Sequence, residues 1–350
     1  MDDTMKFTLG IIVAAAIVFI GLFGIQGVGA FSSGGGLLAS VSHSLYAGPT
    51  QDIFMTFNEF GDTHPIPLSS DEKGVSVLST HTSSENPQHL YVGTDKGLFF
   101  SYDGGLSWHR FVTSDNEISH VSQVYAFYEL SDGSLLVSVF GNGVGKVYRT
   151  GDYFFSLDPI ISFEGETAYS LFESGSYIYM GLSNGQVLEY RLSDEVMRVV
   201  RTFDAPIVSI ERTPYGDISL LSKGGDVYIA PSPSLETGRK VKATGGFLNL
   251  FSSKVQALEW TREGVLYILD GSGIRVSYDR GKSFDLLGGI PSGSPIDTFS
   301  VQGDTLYVMS GGHIYKSTDG AVYWKQIDSF TRVYDISRMH FFSSRQVMVW

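Results

Sequence analysis

The sequence predicts an all-β fold: a seven-bladed β-propeller closed by strands from both termini, preceded by one N-terminal transmembrane helix. Three observations carry this. A strand–turn–strand module beginning at Leu90, LYVGTDKGLFFSYDGGLSW, recurs along the chain with starts at Leu135, Ile178, Ile218, Leu266, Leu306 and Val347. Successive starts lie 40 to 48 residues apart, the length of a four-stranded blade. Within each module apolar and polar residues alternate with the period of 2 that strands require, and no helical period intervenes.

Each start opens a hairpin: LLVSVFGNGVGKVY, IYMGLSNGQVLEY, ISLLSKGGDVYI, LYILDGSGIRVSY and LYVMSGGHIYKS. Their turns contain Gly or Asn, which tolerate the positive φ of tight hairpins. Strand-like runs such as Val121–Tyr128, Val208–Thr213 and Val255–Thr261 precede the hairpins, and a short strand follows each one. At the C-terminus, Val333–Phe341 and Val347–Trp350 supply only two strands of a further blade. Asp52–Asn58 and Thr63–Leu68 supply the other two, giving six complete blades and one shared blade. Closure of this kind removes exposed sheet edges. A six-bladed ring with stray terminal strands is the alternative.

Phe7 to Ile25 is an uncharged run of 19 residues, enough to span a bilayer core as a helix. Lys6 precedes it and the next basic residue is Lys73, which favours the N-terminus inside and the remainder extracytoplasmic. The expected organisation is a cytoplasmic stub at 1–6, a signal anchor at 7–25, a Gly/Ser-rich tether at 26–50 and the propeller at 51–350. A secreted protein cleaved after Val28-Gly29-Ala30 is the rival.

The net charge of −13, with no dense basic run, argues against nucleic acid as a partner. With no Cys, disulfides, thiolate metal sites and a cysteine nucleophile are excluded. The 8 His residues show no HxxxH or HExxH spacing, so no metal site and no cofactor are expected. There is no GxSxG elbow for a serine hydrolase. No motif selects a pair of carboxylates for glycoside hydrolysis.

Ser101-x-Asp103-Gly104-Gly105-x-Ser107-Trp108 and Ser277-x-Asp279-x-Gly281-x-Ser283-Phe284 both fit the pattern S/T-x-D-x-G-x-x-W/F. Ser317-x-Asp319…Trp324 and Thr150-x-Asp152…Ser156 are degraded copies, and Thr56-x-Asn58 is fainter. The Asp carboxylate and Ser hydroxyl suit backbone N–H groups of a tight turn, so these residues read as structural. Tyr91, Tyr267 and Tyr307, at alternating positions, read as interblade packing.

These residues resemble the BNR/Asp-box propellers, which include sialidases, sortilin-type domains and photosystem II assembly-factor-like proteins. The resemblance covers about residues 50–350 and lies in repeat grammar. It implies a scaffold or chaperone-like role at a membrane. The Arg-Ile-Pro motif and arginine triad of sialidases are absent, so their activity is not carried over. The sortilin type's cysteine-rich module is also absent, and the assembly-factor group's basic patch has no counterpart here.

In propellers the loops entering the innermost strands gather at one mouth of the channel. Here those positions include Glu117, Glu166, Asp204, Asp297 and Asp335, with Lys254 breaking the series. They outline an acidic funnel for a cation or a basic segment of a partner, although a chain of −13 also places carboxylates on most solvated loops. The reading is a membrane-anchored, non-enzymatic scaffold with a protein partner. The alternative is an exported glycan-binding or glycan-cleaving propeller.

Overall fold

The computed structural model describes residues 54–57, 62–65, 75–113, 118, 122–151, 154, 156–232, 235–241, 254–288, 293–327, 339–343 and 346–349. Six blades are complete in sequence, each an antiparallel sheet of four consecutive strands. Blades 1 to 6 span residues 77–111, 123–164, 168–202, 207–241, 257–286 and 296–326. One further four-stranded sheet is mixed in origin. It joins the strands Phe54–Phe57 and Asp62–Pro65 to Met339–Ser343 and Gln346–Val349. Phe54 pairs with Val349, Met55 with Met348 and Thr56 with Val347, so the two ends of the domain meet in register as the sequence suggests. The inner strand Met339–Ser343 lies against the inner strands of blade 6 and blade 1. Among the described residues no helix is long and apolar enough to cross a membrane. The expected span at 7–25 and the tether at 26–50 lie outside the described residues.

The core is a series of layers between consecutive blades. Tyr91 and Leu98 of blade 1 pack with Phe127 and Val137 of blade 2. Ala126 and Leu136 of blade 2 pack with Leu171 and Met180 of blade 3. Phe172 and Tyr179 meet Ile210 and Leu220, then Leu221 and Ile229 meet Leu258 and Ile268, and Leu269 and Ile274 meet Phe299 and Val308. Each large aliphatic or Phe side chain among these contributes about 1.5–3 kcal/mol on burial. A single blade has no core of its own. Tyr91 and Tyr307 are buried here, and Tyr267 is partly buried against the layer between blades 5 and 6.

Polar contacts stitch the same seams. In blade 1, Ser79 faces Gly93 across the first two strands, and its hydroxyl donates to Val124 O of blade 2 at 3.0 Å. In blade 3, Ser170 faces Gly181 and donates to Ile207 O of blade 4 at 3.1 Å. Blade 2 swaps the hosts: Ala126 takes the serine's place, and Ser138 stands where the glycines stand. Its hydroxyl still donates to the next blade, at Ala168 O, 2.7 Å away. A Cβ at Gly93 would lie 2.5 Å from Val124 O, and one at Gly181 would lie 2.7 Å from Ile207 Cβ. Space for one side chain is shared between two strands, so one member of each pair must be small.

A second stitch sits at the inner-strand residue paired with each hairpin start. Glu129, Glu173, Arg212, Trp260 and Val301 occupy this register in blades 2 to 6. Each reaches back to the preceding blade or the turn that leaves its inner strand. Glu129 accepts the Ser84 N–H (2.8 Å) and hydroxyl (2.5 Å). Glu173 accepts the Ser131 N–H (2.7 Å) and hydroxyl (3.0 Å). Arg212 donates to Ser174 Oγ at 2.9 Å, Trp260 Nε1 donates to Ser219 Oγ at 3.2 Å, and Val301 N–H donates to Glu259 Oε2 at 3.0 Å. Charge-assisted members of this series are the stronger ones.

Candidate functional site

The S-x-D turns join the third and fourth strands of blades 1, 5 and 6. In blade 1, Ser101 Oγ accepts the Gly105 N–H at 2.8 Å and donates to Asp103 Oδ1 at 2.7 Å. Asp103 accepts the Ser107 N–H (2.9 Å) and hydroxyl (2.5 Å), and Trp108 Nε1 donates to Gly105 O at 3.1 Å. Ser277 and Asp279 repeat the scheme with Gly281 N–H (2.8 Å), Ser283 N–H (2.8 Å) and the Ser283 hydroxyl (2.6 Å). In blade 6, Ser317 Oγ accepts the Ala321 N–H at 3.0 Å and Asp319 accepts the Tyr323 N–H at 3.0 Å. Gly105 and Gly281 have φ of 91° and 74°, which glycine adopts freely. Ala321 holds the same place at φ 73°, a strained value for a residue with a Cβ. Phe284 and Trp324 close the turns as buried side chains, and Trp108 is half-buried. Thr150 Oγ1 accepts the Phe154 N–H at 3.0 Å, while Asp152 lies outside the described residues.

These bonds set the carboxylates' chemistry. Burial works to raise Asp103, but donors from Ser107, Ser101 and Leu106 outweigh it and hold the group below its usual range. The Ser283 hydroxyl and N–H hold Asp279 well down, and the Tyr323 N–H and Ser317 do so for Asp319. A carboxylate saturated with turn donors is a poor proton shuttle.

The five acidic residues expected at a channel mouth stand as follows. Glu117 and Asp335 lie outside the described residues. Glu166 accepts the Ser183 hydroxyl, and Ser183 Oγ in turn accepts the Thr167 N–H at 3.1 Å. Asp204 adds its charge to the Lys240–Asp226 ion pair (2.6 Å), which helps to raise Lys240. Asp297 is half-buried at a register slip in the inner strand of blade 6. The same slip recurs at Leu78, Tyr125, Tyr169 and Val208 in blades 1 to 4. The Tyr125 and Tyr169 rings from adjacent slips lie 4.8 Å apart. Burial, then the charge of Tyr169, push the Tyr125 hydroxyl up to about 12. Among the described residues, no group of three or more His, Asp or Glu side chains could hold a metal ion.

Sequence reasoning missed a pair of inward carboxyls. Glu211 and Glu259 stand at equivalent register, one residue before Arg212 and Trp260, on the inner strands of blades 4 and 5. The Ser209 hydroxyl donates to Glu211 at 2.7 Å, and Glu259 accepts Val301 N–H and Ser300. Burial pushes Glu259 up to about 8, and the neighbouring Glu211 charge adds to the shift. Burial likewise raises Glu211 to about 7. Glu211 keeps part of its surface in solvent, so Glu259 is the firmer proton holder. A carboxylate inside an apolar strand run, as in Leu258-Glu259-Trp260, was the available signal.

No family model matches the chain, and no curated protein matches it. Solved structures share its fold. A structure described as YCF48 bound to D1 peptide is 14% identical over 87% of this chain and 99% of that one, with a TM-score of 0.62. The extracellular domain of a hybrid two-component system from B. thetaiotaomicron is 17% identical over 83% of this chain, with a TM-score of 0.55; this chain spans 37% of that longer one. The computationally designed Ika8 protein is 12% identical over 89% of this chain and 98% of that one, with a TM-score of 0.52. At such identities the likeness shows a β-propeller fold.

Two outcomes follow from the geometry. Ser277→Ala leaves the Gly281 N–H without its acceptor and Asp279 without a donor, so urea unfolding should show a loss of about 1–3 kcal/mol. The pH dependence has two arms. The lowered Asp103, Asp279 and Asp319 contribute stability that is present above their unfolded values near 4 and lost as pH falls. The raised Glu259 contributes stability that is full below its ordinary value of 4.5 and lost as pH climbs through about 8. Thermal melts from pH 5 to 9 should therefore fall by roughly 2–6 °C, and Glu259→Gln should flatten that slope.

Proposed function

We propose that this chain is a membrane-anchored, extracytoplasmic propeller of seven sectors, with Asp-box rim turns, that binds a protein partner as a non-enzymatic scaffold. The mixed-origin sheet is the seventh sector, and residues 7–25 and 26–50 are the anchor and tether. One observation carries the reading: among the described residues, the carboxylates of the rim turns and blade seams are committed to architecture. Asp103, Asp279 and Asp319 are bound within turns. Glu129 and Glu173 are bound across seams. Glu189 is held by Arg198 at 2.8 Å and Tyr179 at 2.9 Å. A disc so fastened presents fixed surfaces, which suits recognition more than turnover.

That a propeller of similar outline, YCF48, is found with a peptide supports a protein ligand for this architecture. The acidic mouth of Glu117, Glu166, Asp204, Asp297 and Asp335 adds a preference for a basic segment or a cation. The partner reading requires neither nucleic acid nor a cofactor.

The full chain, tagged at its C-terminus and expressed in its source cells, should remain in carbonate-washed membranes. After detergent extraction it should enrich a specific protein, read by mass spectrometry. Recovery in the soluble fraction, or oligosaccharide binding or cleavage with no protein enriched, would overturn the proposal.

A further inference from the structure

The outer strands of the described sheets are mostly short. His109–Phe111 and Arg239–Val241 have 3 residues each, and Asp285–Leu286 and Lys325–Gln326 have 2 each. Asp62–Pro65 has 4. Short edges leave little backbone to attract another strand. Two edges break the pattern, Asp158–Glu164 in blade 2 and Val196–Thr202 in blade 3, each with 7 residues. The first is blunted, because Pro159 lacks an N–H and the register slips between Pro159 and Ile161.

The edge of blade 3 has no such protection over its first four residues. Val196, Met197, Arg198 and Val199 pair without a slip against Arg191, Tyr190, Glu189 and Leu188. Val196, Met197 and Val199 are 51%, 48% and 50% exposed. Arg would ordinarily guard such an edge, but both arginines are turned to other work. Arg198 grips Glu189 through Nε at 2.8 Å and through a second nitrogen at 3.3 Å. Arg201 donates to Leu235 O (3.2 Å) and Gly238 O (3.4 Å) and lies over the Phe203 and Tyr228 rings. What faces outward is a row of main-chain groups flanked by apolar side chains, and exposed Glu195 stands at its start.

Resting on the scaffold reading above, we propose that Val196–Val199 receives an extended segment of the protein partner as an added fifth strand. The segment carries apolar side chains at alternate positions, to meet Met197 and Val199, and a basic residue near Glu195. Charge favours such a peptide over a second copy of this chain, because two copies, each of net charge −13, repel one another as whole molecules.

The test uses the full chain in detergent micelles and the acetylated hexapeptide KVTVTV as the probe strand. Binding should slow amide exchange within residues 196–199 by about tenfold or more, the expected result of new main-chain bonds. A probe N-methylated at alternate amides should give no protection, and the exposed double variant Met197→Asp/Val199→Asp should weaken binding by about tenfold. Protection elsewhere, equal binding by the N-methylated probe, or equal binding by the variant would overturn the proposal. So would wild-type dimerisation that the variant abolishes, which would assign the edge to a second copy. If the membrane pull-down still recovers its protein with the double variant, this edge is wrong and the scaffold stands. If it recovers none from wild type, the scaffold reading itself fails.

Discussion

Everything in this molecule depends on how each blade is fastened to the one before it. A four-stranded sheet of this kind has no private core; its apolar faces are buried only when a neighbour covers them. The polar bonds at one register position then fix how neighbouring blades meet. Glu129 and Glu173 are carboxylates while Arg212, Trp260 and Val301 are a cation, an indole and a main-chain N–H donor, yet each reaches across its seam from the same register position. What repeats is the place of the contact. Hydrophobic burial supplies most of the energy, and these directional bonds supply the orientation.

Such fastening makes the two ends of the domain a special case. A row of blades joined only in sequence would leave one inner face of the first blade and one of the last uncovered. Pairing of Phe54–Thr56 with Val347–Val349 supplies a sheet for that gap. Its inner strand lies against both blade 6 and blade 1. The Thr82 hydroxyl of blade 1 belongs to the same register series as Glu129 and Glu173, and it is buried without a partner among the described residues.

The local features were legible in the sequence. Hairpins repeat because a tight turn and two alternating strands are encoded within about 15 residues. The rim turns repeat because Ser, Asp and Gly within one short stretch make all the bonds among themselves. The seams were not legible, because their partners lie 38 to 45 residues apart and no one residue type holds the position throughout. The exchange of Ser79/Gly93 for Ala126/Ser138 shows why: one bond is conserved in space while its donor moves to another strand. Glu211 and Glu259 were hidden for a related reason. Strand-end carboxylates usually face solvent, and only the neighbouring blades make these two inward. The loop acids were legible as charges, but the Ser183 bond of Glu166 and the Lys240 environment of Asp204 were not.

The fastening account is tested most directly at the Glu173 latch, by native-state hydrogen exchange on Glu173→Ala. The Ser131 N–H donates to that carboxylate at 2.7 Å and belongs to a turn of blade 2, while Glu173 belongs to blade 3. Loss of this solvent-exposed bond should cost about 0.5–1.5 kcal/mol. The account predicts that Ser131 exchanges much faster and that protection falls in both blades together. Unchanged protection at Ser131, or a loss confined to blade 3, would contradict it.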